Sequence, residues 1–228
     1  MRVGGLEKVS TVDFPGLLSA VVFTQGCNFR CPYCHNPDLA RPFGELRDEE
    51  EVIGFLETRV RYLDGVVISG GEPTLAEDLG EYVSRIKALG FRVKLDTNGS
   101  RPEAVESLVS RNLVDYVALD LKSSPAAYPS ELAPPEESRA VLETVGLLKR
   151  LGRAHEFRCT CCSPFVDGEA VLAMAKAARG EAPLFLQEVK PTRVLNPGFM
   201  ARYPDQPGPA ELARFREIAL PYLPCHLR

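Results

Sequence analysis

The sequence predicts an α/β fold, an open, partial (βα)6 TIM-like barrel, and three observations carry that expectation. Short apolar runs that read as buried strands recur six times, at 18–23, 65–69, 91–96, 114–121, 156–162 and 183–189. Between most of them lie stretches with apolar residues three and four apart, the mark of a helix with one buried face. Strands alternating with helices at this interval form right-handed βαβ units around a parallel sheet. Six units are too few for an eight-fold barrel, so the sheet is expected to stay open.

Taken in order, residues 1–17 form a lead-in that ends in the turn-rich segment Thr11-Val12-Asp13-Phe14-Pro15-Gly16. Strand 18–23 follows and delivers the chain into a cysteine-rich loop. The next helix, 47–62, places Val52, Ile53, Phe55, Leu56 and Val60 at helix-compatible spacing. Helices are expected again at 75–89, closed by Gly90 as a left-handed cap, at 102–111, and at 136–151, closed by Gly152. Further helices are expected at 167–178 and 209–220. The proline-rich pieces 123–135 and 191–208 read as ordered long loops at one end of the barrel. No repeat, low-complexity tract or linker interrupts the chain. It is read as one domain over 1–228, with 191–228 as a C-terminal loop and helix.

A chain of 228 residues suffices for one domain with a sizeable core. The net charge of −4 argues against nucleic-acid binding, which leaves a basic footprint. Arg2 is followed by polar residues and glycine, unlike a signal peptide, and the longest apolar run falls far short of a membrane span. Seven cysteines, odd in number and unevenly spaced, do not make a secreted disulfide framework. A cytoplasmic protein without membrane or nucleic-acid partners is expected.

The chemistry is concentrated in Gln25–Asn36, where Cys27, Cys31 and Cys34 are spaced Cys-x3-Cys-x2-Cys directly after a buried strand. Thiolates are the ligands that iron–sulfur clusters take. Three of them hold three irons of a [4Fe–4S] cube and leave the fourth iron open to a non-protein ligand. A zinc site asks for four Cys or His ligands, and His35, adjacent to Cys34, is poorly placed to be the fourth. A disulfide pair with a spare thiol would need an oxidising compartment.

The ends of the later strands carry further polar groups, where ligands bind in parallel α/β barrels. Ser69-Gly70-Gly71-Glu72-Pro73 is a tight turn whose glycines allow close backbone approach. Asp96-Thr97-Asn98-Gly99 pairs hard oxygens with a left-handed turn, or caps the next helix. Asp120 and Lys122, two apart on a strand, point to one side and suit an ion pair. Cys159, Cys161, Cys162 and Cys225 are arithmetically enough for a second metal site. Cys161 and Cys162 face opposite sides of a strand, however, and buried thiols are the expected reading. Gln187, near the end of the sixth strand, can face the barrel mouth. His155 and His226 have no nameable partners.

The cysteine triplet, with Tyr33 before its last member, resembles the signature of radical S-adenosylmethionine (SAM) enzymes. Gly-Gly-Glu-Pro, Asp-Thr-Asn-Gly and Asp-Leu-Lys follow it in the order seen in activating enzymes of glycyl-radical proteins. The segment 11–16 is similar to their Thr-Val-Asp-Gly-Pro-Gly, with Phe14 in place of glycine. That form, like the Leu-Gln-x-x-x-Pro ending at 186–191, resembles the branch that activates anaerobic ribonucleoside-triphosphate reductase. The resemblance spans Gly4 to about Pro197.

The resemblance implies a radical SAM core fold, a [4Fe–4S] cluster on Cys27, Cys31 and Cys34, and an oxidoreductase that splits SAM into methionine and a 5′-deoxyadenosyl radical. It places Tyr33, His35, Gly70, Gly71, Glu72, Asp96, Thr97, Asn98, Asp120 and Lys122 around SAM. A monovalent cation is implied near Asp96, Thr97 and Asp120, and Lys122 and Asp13 join the catalytic groups. The implied partners are a glycyl-radical protein, first the anaerobic ribonucleotide reductase, and a flavodoxin- or ferredoxin-type electron donor. The alternatives are a pyruvate formate-lyase activase, a small-molecule enzyme similar to 7-carboxy-7-deazaguanine synthase, or a metal-binding module without turnover.

Overall fold

The computed structural model describes every residue except Pro42, Phe43, Ala127 and Pro191. Pro191 opens the tail expected from the sequence and ends the 186–191 motif, and Ala127 falls in the expected loop 123–135, so those two positions lie outside the described residues.

Among the described residues eight strands follow in chain order through one open sheet: β1 Val3–Ser10, β2 Ser19–Thr24, β3 Gly65–Gly70, β4 Arg92–Thr97, β5 Tyr116–Asp120, β6 His155–Cys161, β7 Leu184–Glu188 and β8 Cys225–Leu227. The six expected strands are β2 to β7. The helices are α1 Pro37–Ala40, α2 Glu49–Glu57, α3 Leu79–Ala88, α4 Pro102–Ser110, α5 Pro135–Leu151, α6 Gly168–Ala178, α7 Pro197–Arg202 and α8 Pro209–Ala219. Pairing is parallel for β2–β3, β3–β4, β6–β7 and β7–β8.

Several elements depart from expectation, among them the four-residue α1 that follows the cysteine loop. The lead-in contains β1, which pairs antiparallel with β2. As the sheet edge it leaves Glu7, Lys8 and Val9 exposed, so it lacks the apolar alternation that identifies a half-buried strand. Within the expected tail, Asn196 caps α7 by accepting from the Phe199 N–H, and β8 adds a three-residue strand to β7. Both are too short for periodicity to reveal. Helix 47–62 also ends early, α2 stopping at Glu57, where the Thr58 N–H turns back to the Gly54 and Phe55 carbonyls.

The chain packs as two compact units, one of residues 1–28, 38–97 and 103–117, the other of 29–37, 98–102 and 118–228. In the first, Phe14 is buried against Val21 and Val67, with Leu17, Phe23 and Tyr116 around it. Gly65 makes room for this ring, since a Cβ there would lie 2.9 Å from Phe14. The phenylalanine that replaces the motif's glycine is therefore a core residue. In the second unit α5 ends at Gly152 in the left-handed conformation (φ 62°), the geometry a C-cap glycine supplies at least cost. Asp167 caps α6 by accepting from the Ala170 N–H. Among the described residues no helix is long and apolar enough to cross a membrane.

Candidate cluster and cofactor site

In the first unit the site grows from the end of β2. The chain turns at Gly26 (φ 101°) into Cys27. Gly26 N donates to the Leu39 carbonyl (2.7 Å) and Cys27 N to that of Ala40 (3.2 Å), so the short α1 fixes the first cysteine's backbone. The turn after β3 locks onto the same place: Gly71 N donates to Thr24 O (2.9 Å) and Glu72 N to Gly26 O (2.8 Å). A Cβ on Gly70 would lie 2.4 Å from Thr24 backbone atoms, and one on Gly71 would lie 2.0 Å from Gly26 O. Backbone meeting backbone is what requires both glycines here.

Glu72 is buried and gathers the neighbouring hydroxyls. Its Oε1 accepts from Thr74 N (3.1 Å), the Thr74 hydroxyl and the Thr97 hydroxyl (2.7 Å). One strand away, Asp96 accepts from the Ser69 hydroxyl at Oδ2 (3.0 Å) and from the Lys94 ammonium at Oδ1 (2.6 Å). Asp13 accepts from the Ser10 hydroxyl. The Ser10 hydroxyl in turn takes the N–H groups of Val12 and Asp13 (3.2 Å each), closing the turn that carries the carboxylate.

In the second unit Cys31 and Tyr33 are buried, Cys34 is half-buried and His35 exposed. The segment leading into α7 holds this loop. Leu195 N donates to Cys34 O (3.1 Å), Asn196 N to Pro32 O (2.9 Å), and Lys190 N to His35 Nε2 (3.2 Å). The Tyr33 ring lies 6.0 Å from Phe165, which stacks on Phe199 at 5.2 Å. The Tyr33 hydroxyl is buried with no hydrogen-bond partner among the described residues. Asn98 Oδ1 accepts from Ser100 N (2.9 Å), forming the turn that Gly99 (φ 77°) completes.

At the end of β5 two cations face one carboxylate. Lys122 Nζ lies 3.1 Å from Asp120 Oδ2, and Arg158 Nε lies 2.8 Å from Oδ1. Burial alone would raise the Asp120 carboxyl, but Arg158 and Lys122 more than reverse it and hold the group well below the usual carboxylate range. Burial would likewise lower the Lys122 ammonium, and Asp120 outweighs it, keeping the lysine charged. The Lys122 backbone N–H donates to the Tyr128 hydroxyl (2.9 Å). Burial pushes the Cys31 thiol up to about 11, against the opposing pull of Lys122.

The remaining thiols, Cys159, Cys161, Cys162 and Cys225, are buried and unbridged. Burial pushes Cys162 up to about 12 and Cys225 up to about 11. Gln187 Nε2 donates to the Thr160 hydroxyl (2.7 Å). His155 packs edge-on to Phe157 and His226 stacks on Phe185. Sequence reasoning passed over Lys94, Arg158 and Tyr128. The first two carried a legible signal, a charged residue inside an apolar strand run.

The profile of the radical SAM superfamily matches residues 21–182. The chain belongs to that superfamily. Its cofactors are accordingly a [4Fe–4S] cluster and SAM. A Methanocaldococcus jannaschii protein, "Putative glycyl-radical enzyme activating enzyme MJ1227", is 34% identical over 226 residues, covering 97% of this chain and 92% of its own. The pyruvate formate-lyase-activating enzyme of Listeria monocytogenes is 36% identical over 135 residues, about half of each chain (53% and 53%). The radical SAM chain is thus an enzyme of the glycyl-radical-enzyme activase family. Streptococcus suis SuiB, solved with S-adenosylmethionine bound, shares the fold at TM-score 0.68 and 15% identity, over 91% of this chain and 49% of that one. TYW1 shares it at TM-score 0.63 and 14% identity, over 88% of this chain and 72% of that one.

Proposed function

We propose that this radical SAM enzyme activates an anaerobic ribonucleoside-triphosphate reductase by removing a hydrogen atom from a backbone glycine of that partner. Cys27, Cys31 and Cys34 hold the cluster, and the donor set suits it: three unbridged thiols within eight residues. When bound and reduced by a flavodoxin- or ferredoxin-type donor in the cytoplasm, the cluster would supply the electron for splitting SAM. The chain's own residues bind, orient and shield. Lys122 receives the SAM carboxylate, with Asp120 and Arg158 fixing its position. Gly70, Gly71 and Glu72 take the amino end, and Thr97 and Asn98 shape the turn after β4. Tyr33 and His35 flank the cofactor, whereas Asp13 sits with Ser10 at the start of β2, the end of that strand away from Cys27. The chain acts as one catalytic domain, since the superfamily match runs through both units.

The observation that carries this reading is the charge arrangement at the end of β5. Two cations on one carboxylate leave positive charge for an incoming carboxylate. A charge-assisted bond to a carboxylate in a partly buried pocket is the strong kind. A second reading, activation of a pyruvate formate-lyase, is favoured by the similarity over 53% of the chain.

Anaerobic reconstitution with iron and sulfide, reduction, and addition of SAM with each candidate partner tests both. The expected result is SAM cleavage that Cys31→Ala abolishes, with a glycyl-type paramagnetic resonance doublet on the reductase. A doublet on the formate-lyase instead moves the assignment. Cleavage with neither doublet rules out both candidates and points to another partner or a small-molecule substrate.

A further inference from the structure

The Lys94–Asp96 pair stands apart from everything else in its strand. Register sets Lys94 level with Val67, and Val67 level with Val21. Lys94 thus belongs to the apolar layer that Phe14 packs against. Its side chain is 1% exposed, and its ammonium reaches one layer further along β4 to Asp96 Oδ1 at 2.6 Å. An ammonium at that depth is tolerated only with a carboxylate on it. The other Asp96 oxygen accepts from Ser69.

A monovalent metal ion is implied beside Asp96, Thr97 and Asp120 by the resemblance, and the groups present do not fit one. Asp96 already carries the Lys94 ammonium on Oδ1 and the Ser69 hydroxyl on Oδ2, and Asp120 is held between Lys122 and Arg158. A metal ion on Asp96 Oδ1 would have to displace the Lys94 ammonium, whose side chain is 1% exposed and lies level with Val67 and Val21.

We infer that Lys94 is a built-in cation: its ammonium occupies the place of a monovalent metal ion on Asp96 and orients that carboxylate as a positioning residue. The chain is then independent of sodium and potassium where it binds SAM. The SAM part of this inference rests on the proposed function, and the cation part does not.

The test uses the reconstituted holoenzyme for SAM affinity and the metal-free chain for thermal unfolding, each in choline, sodium and potassium chloride at equal ionic strength. In the wild type both readouts are expected to be the same in all three salts. Lys94→Met is expected to melt lower in choline and to bind SAM about tenfold more weakly, within the usual range of coupling between adjacent sites. Sodium or potassium should restore both. A merely structural lysine would give a loss that no cation repairs.

The double variant Lys94→Met/Asp96→Asn, a neutral pair, should fold and show no cation response. If it responds as the single variant does, the effect is general salt stabilisation and the inference falls. Wild-type SAM affinity or melting that drops in choline also overturns it, and decides the matter even if Lys94→Met does not fold. If the wild type binds no SAM in any salt, the proposed function fails instead, and the melting curves alone decide the role of Lys94.

Discussion

Two strand ends in this molecule carry the same three residue types in opposite order. Lys94-Leu95-Asp96 lies just inside the end of β4 in one unit, and Asp120-Leu121-Lys122 starts at the last residue of β5 and runs past it in the other. Spacing by two puts lysine and aspartate on one face in both, and both pairs form, at 2.6 and 3.1 Å. Order along the strand decides what each pair is for. In β4 the lysine comes first, one layer inside the sheet, and its side chain is 1% exposed. In β5 it comes last, beyond the carboxylate, and is 18% exposed, with Arg158 taking the aspartate's other oxygen. Ligands bind at the C-terminal ends of parallel strands. A lysine before its aspartate therefore seals a charge, and a lysine after it presents one.

The largest effect that breaks the comparison is on stability. Asp96→Asn leaves the Lys94 ammonium buried without a carboxylate, which is expected to cost about 3–5 kcal/mol. Asp120→Asn frees two cations that water can still reach, and a loss of about 1–3 kcal/mol is expected. Urea unfolding of the two metal-free variants, side by side with wild type, measures both. Equal losses would mean that sequence order does not separate a sealed pair from an open one.

Next in size is ligand affinity. Lys122→Met should weaken SAM binding by about 10- to 100-fold, the worth of one charge-assisted bond, while melting moves little. Isothermal titration of the reconstituted protein reads the first and a thermal scan the second. A variant that melts far lower but binds SAM as wild type does would make Lys122 structural, like Lys94.

The pH response sharpens the same contrast. The Asp120 carboxyl is held below its ordinary value by Arg158 and Lys122 against burial. A depressed carboxyl adds stability that is fully present above the unfolded-state value, about pH 4, and is lost as pH falls through the native value. The stability gap between wild type and Asp120→Asn should therefore be flat from about pH 8 down to about pH 5 and shrink below that. Urea midpoints taken across that range check it. A gap that widens on acidification would reverse the sign and sink the assignment of the two cations as its cause.

The sequence made most of this legible, with gaps of a consistent kind. The six strands β2 to β7 could be read because each is a largely buried apolar run, and the cysteine loop and strand-end motifs because residue type and spacing carry the chemistry. β1 escaped because an edge strand with Glu7 and Lys8 outward has little alternation to see. α7 and β8 escaped because six residues hold less than two helical turns and three residues less than two strand repeats. Arg158 and Lys94 were visible as charges in apolar runs, but their partners were not. Arg158 reaches a carboxylate 38 positions away, a distance no local pattern spans. Lys94 is matched by a residue two places on, and only its depth gives the match meaning. The glycines of the turn after β3 were read for a ligand's approach, whereas Gly26 and Thr24 already demand them.

The smallest expected effect tests whether the open site needs charge or shape from Arg158. Its Nε–H meets Asp120 Oδ1 at 2.8 Å, in line with a planar, delocalised cation that is 17% exposed. Arg158→Lys keeps the charge but replaces a rigid fork with a flexible, strongly hydrated ammonium. Asp120 would still be held by Lys122, so the stability loss should be about 1 kcal/mol or less. What should move is geometry: an Asp120 carboxylate gripped on one side lets Lys122 drift, and KM for SAM should rise a few-fold with kcat nearly unchanged. Steady-state cleavage across SAM concentrations separates the two constants. Unaltered kinetics would mean that a second positive charge is all β6 contributes to Asp120. A fall in kcat at constant KM would instead move Arg158 from positioning the lysine to acting on the reacting groups, and the pair on β5 would then need reading as a triad.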